Sequence, residues 1–221
     1  MILKAEKLKI IYYPVSCPDL PLQPQKDFRT EFQISAKAKV LAVVGRIRPV
    51  KGQRILLQSL SQLLSEFPDL VLLMPYRDTP ENEPEMQAVR SDISRLELEA
   101  HVRLIPERED IRALMEFADA GVVSSVDSEV ICRVAVEFFS VGTPVVAFPT
   151  GCLPEIIRHA ENGLLTKDQS QQALTDELRK ILTDQELCKK LGQGARRDAE
   201  IRFNPQKMLA ETLQVFERAL N

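Results

Sequence analysis

The sequence predicts a doubly wound α/β domain, a parallel sheet of about six strands wrapped by helices. Three observations carry this expectation. Short apolar runs recur along the chain, separated by stretches with apolar residues at helical spacing. The runs are continuously apolar rather than alternating, as in strands buried on both faces. Strict alternation of β and α elements implies parallel pairing with right-handed crossovers.

The elements follow in order. Residues 1–38 stand apart, because YYPVSCPDLPLQPQ holds four prolines and breaks regular structure. An extended arm or linker is expected there, then a short helix in QKDFRTEFQI. KVLAVVG (39–45) is the first strand, ended by Gly45, and QRILLQSLSQLLSEF (53–67) the first long helix. LVLLMP (70–75) is a strand stopped by Pro75, and PEMQAVRSDISRLELE (84–99) a helix. HVRLIP (101–106) and AGVVSS (120–125) are strands on either side of the helix EDIRALMEFA (109–118). SEVICRVAVEFFSVG (128–142) reads as a buried helix, PVVAFP (144–149) as a strand and LPEIIRHA (153–160) as a short helix. GLLT (163–166) closes the sheet, and 170–220 is helical with breaks near Gly192–Gly194 and Asn204–Pro205.

Composition narrows the function classes. A chain of 221 residues suits one large domain with extensions, and 44% hydrophobic with 28% charged residues is ordinary for a globular protein. The net charge of −3 supplies no overall field toward nucleic acid or anionic lipid, so a basic site must be local. No run approaches the ~18 apolar residues of a membrane span. The start, MILKAEKLKIIYYP, lacks a signal-peptide pattern, and a cytoplasmic location is expected. Cys17, Cys132, Cys152 and Cys188 form no CxxC and are irregularly spaced, which argues against a zinc site or disulfide framework. His101 and His159 lie far apart, so no metal site is expected.

In doubly wound sheets ligands bind beyond the carboxyl ends of the strands, where the strand order reverses. The first such loop, GRIRPVKGQR (45–54), sets Arg46, Arg48, Lys51 and Arg54 beside a helix N-terminus. Unpaired N–H groups, a partial positive charge and basic side chains make a diphosphate site. The loop is neither GxGxxG nor GxxxxGK[ST], so neither a dinucleotide enzyme nor a P-loop nucleotidase is supported. A solvated basic loop is an equally ready reading of these residues on their own.

The helix at 128–142 holds Glu129 at its entrance and Glu137 two turns along. Ile131, Val134, Ala135, Phe138 and Val141 form its apolar face, with Arg133 and Glu137 on the narrower side. Glu137 reads either as an i,i+4 ion pair with Arg133 or as an acceptor for sugar hydroxyls, and Glu129 either as a first-turn acid or as such an acceptor. FPTGCLPEII (148–157) offers a second helix start, with Pro154 and Glu155 in the first turn.

Taken together, VVGRIRPVKG, LMEFADAGVVSSVDSE, the Glu–seven residues–Glu element at Glu129 and Glu137, VGTPVVAFPTGCLPEII and ENGLL resemble the donor-binding half of retaining glycosyltransferase family 4, the group 1 enzymes of the GT-B fold. The match covers roughly 39–203, in order. It implies a Rossmann-like, nucleotide-sugar-binding domain over 39–203, an interdomain linker or arm over 1–38 and a C-terminal helix over 204–221. It implies transfer of a hexose, with retention, from a nucleotide diphosphate sugar to an acceptor hydroxyl, without a metal or other cofactor. Gly45, Arg46 and Lys51 would hold the diphosphate, Glu137 the ribose and Glu129, in the catalytic position, the donor sugar. The backbone N–H groups of Val130, Ile131 and Cys132 would line the sugar and phosphates.

The chain departs from the family pattern in places. Val130-Ile131-Cys132 stand for Gly-Phe-Gly, Cys152 for the second glycine before Pro-Glu, and PYRDTPEN for a glycine-rich turn in which Tyr76 or Arg77 could meet the nucleotide. Neither histidine lies in a matching motif. The resemblance implies a missing N-terminal Rossmann domain, in cis or in trans, that binds a lipid- or glycan-linked acceptor, and it involves no nucleic acid. The complete enzyme would act in the cytoplasm, peripheral to the inner membrane face in polysaccharide biosynthesis, and the isolated domain would hardly transfer sugar. The alternatives are a non-catalytic partner-binding module that keeps the fold, or one half of a sugar-nucleotide epimerase.

Overall fold

The computed structural model describes residues 9–22, 27–77, 79–80, 83–127 and 129–220. Its sheet holds β1 (Val40–Ala42), β2 (Val71–Tyr76), β3 (Val102–Pro106), β4 (Ala120–Val123), β5 (Val145–Ala147) and β6 (Gly163–Leu165). They lie in the order β3-β2-β1-β4-β5-β6, and every neighbouring pair is parallel. This is the expected doubly wound sheet. The order reverses between β1 and β4, which fixes where a crevice opens.

The continuous apolar runs are explained by two cores. In β1, Val40 and Ala42 face one core and Leu41 the other. The first core takes Leu114 of α4 (Ile111–Phe117), Phe138 of α5 (Arg133–Ser140) and Ala195 of α8 (Gln185–Ile201). The second takes Leu56 and Leu60 of α2 (Gln53–Leu63), Val89 of α3 (Glu83–Arg95) and Leu178 of α7 (Gln171–Thr183). Both faces of the inner strands are thereby removed from water, at roughly 25 cal/mol per Å² of apolar surface, while the edge strand β3 stays partly exposed.

The arm packs as an extended segment. Val15 is buried and its N–H donates to the Phe203 carbonyl at 2.7 Å. The Tyr12 and Phe203 rings meet edge to face at 5.4 Å. Further on, α1 (Phe28–Glu31) is capped by Asp27, whose carboxylate accepts from the Arg29 and Thr30 N–H groups. The helix expected there is only this one turn.

Two helix expectations are corrected. The stretch around Gly192–Gly194 is not a break, for α8 runs through it. These glycines give backbone room: a Cβ at Gly192 would lie 2.4 Å from the Gly142 carbonyl oxygen, and one at Gly194 1.9 Å from that of Glu161. The break falls instead at Asp184, which closes α7 and caps α8 by accepting from the Leu187 N–H at 2.9 Å. The break near Asn204–Pro205 is present, and α9 (Pro205–Leu220) follows with no buried residue.

The second correction concerns the expected helix at 128–142. Ser128 lies outside the described residues, and α5 begins only at Arg133. Glu129 to Cys132 form a loop, so Ile131 is exposed rather than part of the helix's apolar face. Glu129 therefore has no place in the helix's first turn, and the two-turn spacing to Glu137 does not apply. The physical cause lies in the loop after the neighbouring strand β5: the Glu129 carbonyl accepts from the Cys152 N–H at 2.8 Å, which holds this backbone out of helical pairing.

Candidate functional site

Three strand-end loops meet above the reversal of strand order. The loop after β1 turns at Gly45 (φ +151°) and closes in a 3-10 turn, Pro49–Lys51, before Gly52 (φ +64°) starts α2. A Cβ on Gly52 would lie 2.0 Å from the Ser124 carbonyl oxygen, so glycine lets this loop press onto the loop after β4. Ser124 Oγ donates to the Lys51 carbonyl at 2.9 Å, and the Val126 N–H to that of Val50 at 2.9 Å.

The loop after β5 joins them. Thr150 Oγ1 donates to the Ser125 carbonyl at 2.6 Å, and Gln169 Nε2 donates to Thr150 Oγ1 at 2.8 Å. Gly151 (φ +55°) lies so close to Glu129 that a Cβ would stand 2.1 Å from its carbonyl oxygen. Side chains far apart in sequence are thus brought to one point.

At that point Lys51 Nζ donates to Glu129 Oε1, and Ser125 Oγ donates to the same oxygen. The Glu129 side chain is only 6% exposed. A buried carboxylate costs several kcal/mol unless paired and hydrogen-bonded, and here it has a cation and a hydroxyl. Gln53 sits beside them, 2% exposed, with Nε2 donating to the Arg46 carbonyl at 2.9 Å and Oε1 buried with no partner among the described residues. The cluster is an acceptor oxygen and a cation at the mouth of a helix, which suits a ligand with hydroxyls and an anionic group.

The expected site residues divide into three groups. Gly45, Lys51 and Glu129 line one small cavity together with Ser125 and Gln53. Arg46 is on the same loop with its side chain exposed. Val130 and Ile131 stand out at 81% and 61% exposure, while Cys132 is buried. These three line a neighbouring apolar cleft with Ile10, Tyr13 and Cys152. Glu137 lines a different, polar cleft with Tyr13, Ser16 and Arg112. It is held by Arg133 at 3.4 Å, so the ion-pair reading of this residue is realised in the structure. The Arg133 guanidinium also stacks over Tyr13 at 4.8 Å.

Arg54, read with the basic loop, is turned away from it: Nε donates to Asp92 at 2.6 Å on α3. Arg77 pairs with Glu107 at 3.5 Å on the surface. Burial, reinforced by the negative charge of Glu129, pushes the Cys132 thiol up to about 12. Among the described residues no group of three or more His, Cys, Asp or Glu side chains is placed to hold a metal ion.

Ser125, Gln53 and Thr150 are site residues that the sequence reading passed over. Ser125 and Thr150 do stand at the ends of the runs AGVVSS and PVVAFP, where doubly wound sheets bind ligands. Gln53 carries a different signal, a polar residue at the first position of a helix face that is apolar apart from Ser59.

Residues 24–198 match the family model described as Glycosyl transferases group 1. The D-inositol 3-phosphate glycosyltransferase of Jonesia denitrificans is 30% identical over 198 residues, covering 86% of this chain and 45% of that protein. The Anabaena HepE structure in complex with UDP-glucose superposes with a TM-score of 0.77 at 28% identity, over 86% of this chain and 50% of that one. A glycosyltransferase structure from Rickettsia africae reaches a TM-score of 0.90 at 21% identity, over 99% and 59%, a likeness of fold. The chain spans about half the length of the curated relatives it matches.

Proposed function

We propose that this chain, which belongs to the glycosyl transferases group 1 family, is the nucleotide-sugar-binding half of a retaining hexosyltransferase. The observation that carries the reading is the meeting of Lys51 and Glu129 at the reversal of strand order. Anabaena HepE, solved with UDP-glucose, shares this fold and supports a nucleotide diphosphate sugar as the donor.

In this reading Lys51, Arg46 and the N-terminus of α2 face the diphosphate. Their positive charge stabilises the leaving group as the sugar–phosphate bond breaks, without a metal. Glu129 accepts hydrogen bonds from donor-sugar hydroxyls while Ser125 holds its carboxylate in place. Backbone N–H groups of Val130, Ile131 and Cys132 border the sugar, and Gly45 lets the phosphates approach the backbone. Glu137 takes the ribose hydroxyls once it parts from Arg133. A second Rossmann domain, in cis or in trans, brings a lipid- or glycan-linked acceptor hydroxyl to the sugar. The isolated chain binds donor but transfers little, and the complete enzyme works in the cytoplasm at the inner membrane face. Among the described residues no helix is long and apolar enough to cross a membrane.

The test is a titration of the chain with UDP, GDP and ADP sugars. Saturable binding of one class, weakened by Arg46→Ala with Lys51→Ala, is expected. Binding of none, or binding indifferent to both substitutions, rejects the reading and favours a module that keeps the fold for a partner.

A further inference from the structure

We propose that Cys132 and Cys152 are a modification site, a thiol pair that closes to a reversible disulfide and locks the Glu129 loop to the turn at Gly151. The two are 20 residues apart in sequence, yet the Cys132 N–H donates to Cys152 Sγ at 3.3 Å. An N–Cα bond of ~1.46 Å therefore keeps that sulfur within about 5 Å of the Cys132 Cα. Disulfides join cysteines whose Cα atoms lie ~4.4–6.8 Å apart, and a sulfur already this near its partner's backbone is within reach of that geometry. Both thiols are free, and both line the apolar cleft beside the candidate site.

Cys188 stands elsewhere, donating to the Asp119 carbonyl at 3.3 Å before β4 begins. Cys17 lies near Arg196 and Arg112. Neither has a sulfur neighbour among the described contacts. Cys152 also reaches the site through its backbone, since its N–H is bonded to the Glu129 carbonyl at 2.8 Å. A cross-link here would tie both ends of the segment from Glu129 to Cys132 to one turn.

The oxidant is a low-molecular-weight disulfide, and the step is thiol–disulfide exchange. Cys152, the more exposed of the pair, loses its proton and its sulfur attacks one sulfur of the small disulfide. That S–S bond breaks and the first small thiol leaves with the proton. The Cys132 sulfur then attacks Cys152 Sγ, the mixed S–S bond breaks, and the second small thiol leaves with the Cys132 proton. Two electrons and two protons pass to the small disulfide, and one internal disulfide remains. Burial and the Glu129 charge keep Cys132 protonated, which makes the second step the slower one.

The consequence for ligand binding rests on the donor-binding reading above: a locked Glu129 loop changes donor affinity. The experiment incubates the full chain with glutathione disulfide and digests it with trypsin without reduction. Cleavage after Arg112, Arg133 and Arg158 places the cysteines on separate peptides, 113–133 and 134–158. We expect these to travel together, two hydrogens lighter than their sum, until a reductant parts them. Cys132→Ser should stop at the mixed disulfide on Cys152.

Peptides linked through Cys17 or Cys188, a persistent glutathione adduct on Cys152 with Cys132 free, or no reaction would each overturn the proposal. The oxidised and reduced chains are then titrated with UDP-glucose, with a several-fold difference in Kd expected. A linked pair with equal affinity in both forms removes the lock. Absence of binding to any nucleotide sugar in either form counts against the donor reading, while the peptide map still decides the disulfide.

Discussion

Lys51 and Glu129 lie 78 residues apart and share an ion pair at the point where the strand order reverses. The pair has two consequences. It compensates a carboxylate that the fold has buried, and it occupies the cation that a diphosphate would use. In the proposed reading, ligand binding at this point is therefore an exchange of anions on Lys51 as much as the filling of a cavity.

Replacing Lys51 by Met should destabilise the protein by about 2–3 kcal/mol. Breaking a buried pair costs ~3–5 kcal/mol, and the Lys51 side chain retains 27% exposure, which reduces the loss. Urea unfolding measures it. The double variant Lys51→Met with Glu129→Gln should recover most of the loss, because no uncompensated charge remains. If the double variant is as unstable as the single one, the loss comes from the stem of Lys51 and not from the ion pair.

Glu129→Gln should move two properties in opposite directions. The amide keeps an oxygen for the Ser125 hydroxyl but releases Lys51 from its anion. UDP affinity, read by calorimetry, should rise a few-fold, in line with about 1 kcal/mol from a freed charge-assisted hydrogen bond. Sugar transfer by the chain combined with an acceptor domain should fall. Weaker UDP binding would show that Glu129 itself faces the nucleotide.

Stability should depend on pH through Asp92. Its hydrogen bond from Arg54 is the largest influence, and together with Arg95 it holds the carboxyl below the usual aspartate range against the effect of burial. A folded-state pKa below the unfolded one stabilises the protein above the unfolded value, and this is lost as pH falls through the folded one. Asp92→Asn should therefore cost about 1–2 kcal/mol at neutral pH, since both arginines are half exposed, and close to nothing in strong acid. Denaturant midpoints of both proteins across the acid range measure the convergence.

The inner strands were legible because they are buried on both faces, and that leaves an unbroken apolar run such as KVLAVVG in the sequence, while the edge strand β3 is only partly buried and its run is interrupted by Arg103. The position of the site was legible for the same reason, since strand order implies a crevice. The conformation of Glu129 was not. Its backbone is held by Gly151 and Cys152, more than twenty residues later, and a helical pattern over 128–142 contains no trace of that contact. The place of Arg54 is hidden in the same way, because Asp92, its partner, lies 38 residues on. Residues whose roles are set by neighbours in space, Ser125 and Gln53 among them, carry little local signal.

Gly194 separates the local rule from the tertiary one. In the interior of a 17-residue helix, Gly→Ala ordinarily stabilises by roughly 1 kcal/mol. Here the added Cβ would lie 1.9 Å from the Glu161 carbonyl oxygen and 2.9 Å from its carbon, both backbone atoms without a rotamer to escape into. Glu161 adjoins Asn162, whose Nδ2 donates to Asp198 at 2.6 Å, so moving that loop also strains a buried polar contact of α8. Overpacking of this kind costs about 1–3 kcal/mol, more than the helix gains. Gly194→Ala should therefore lower the thermal midpoint, and hydrogen exchange should quicken in the segment around Glu161 while the middle of α2 stays protected. A raised midpoint would mean that α8 does not press on that loop, and that Gly194 serves no close approach.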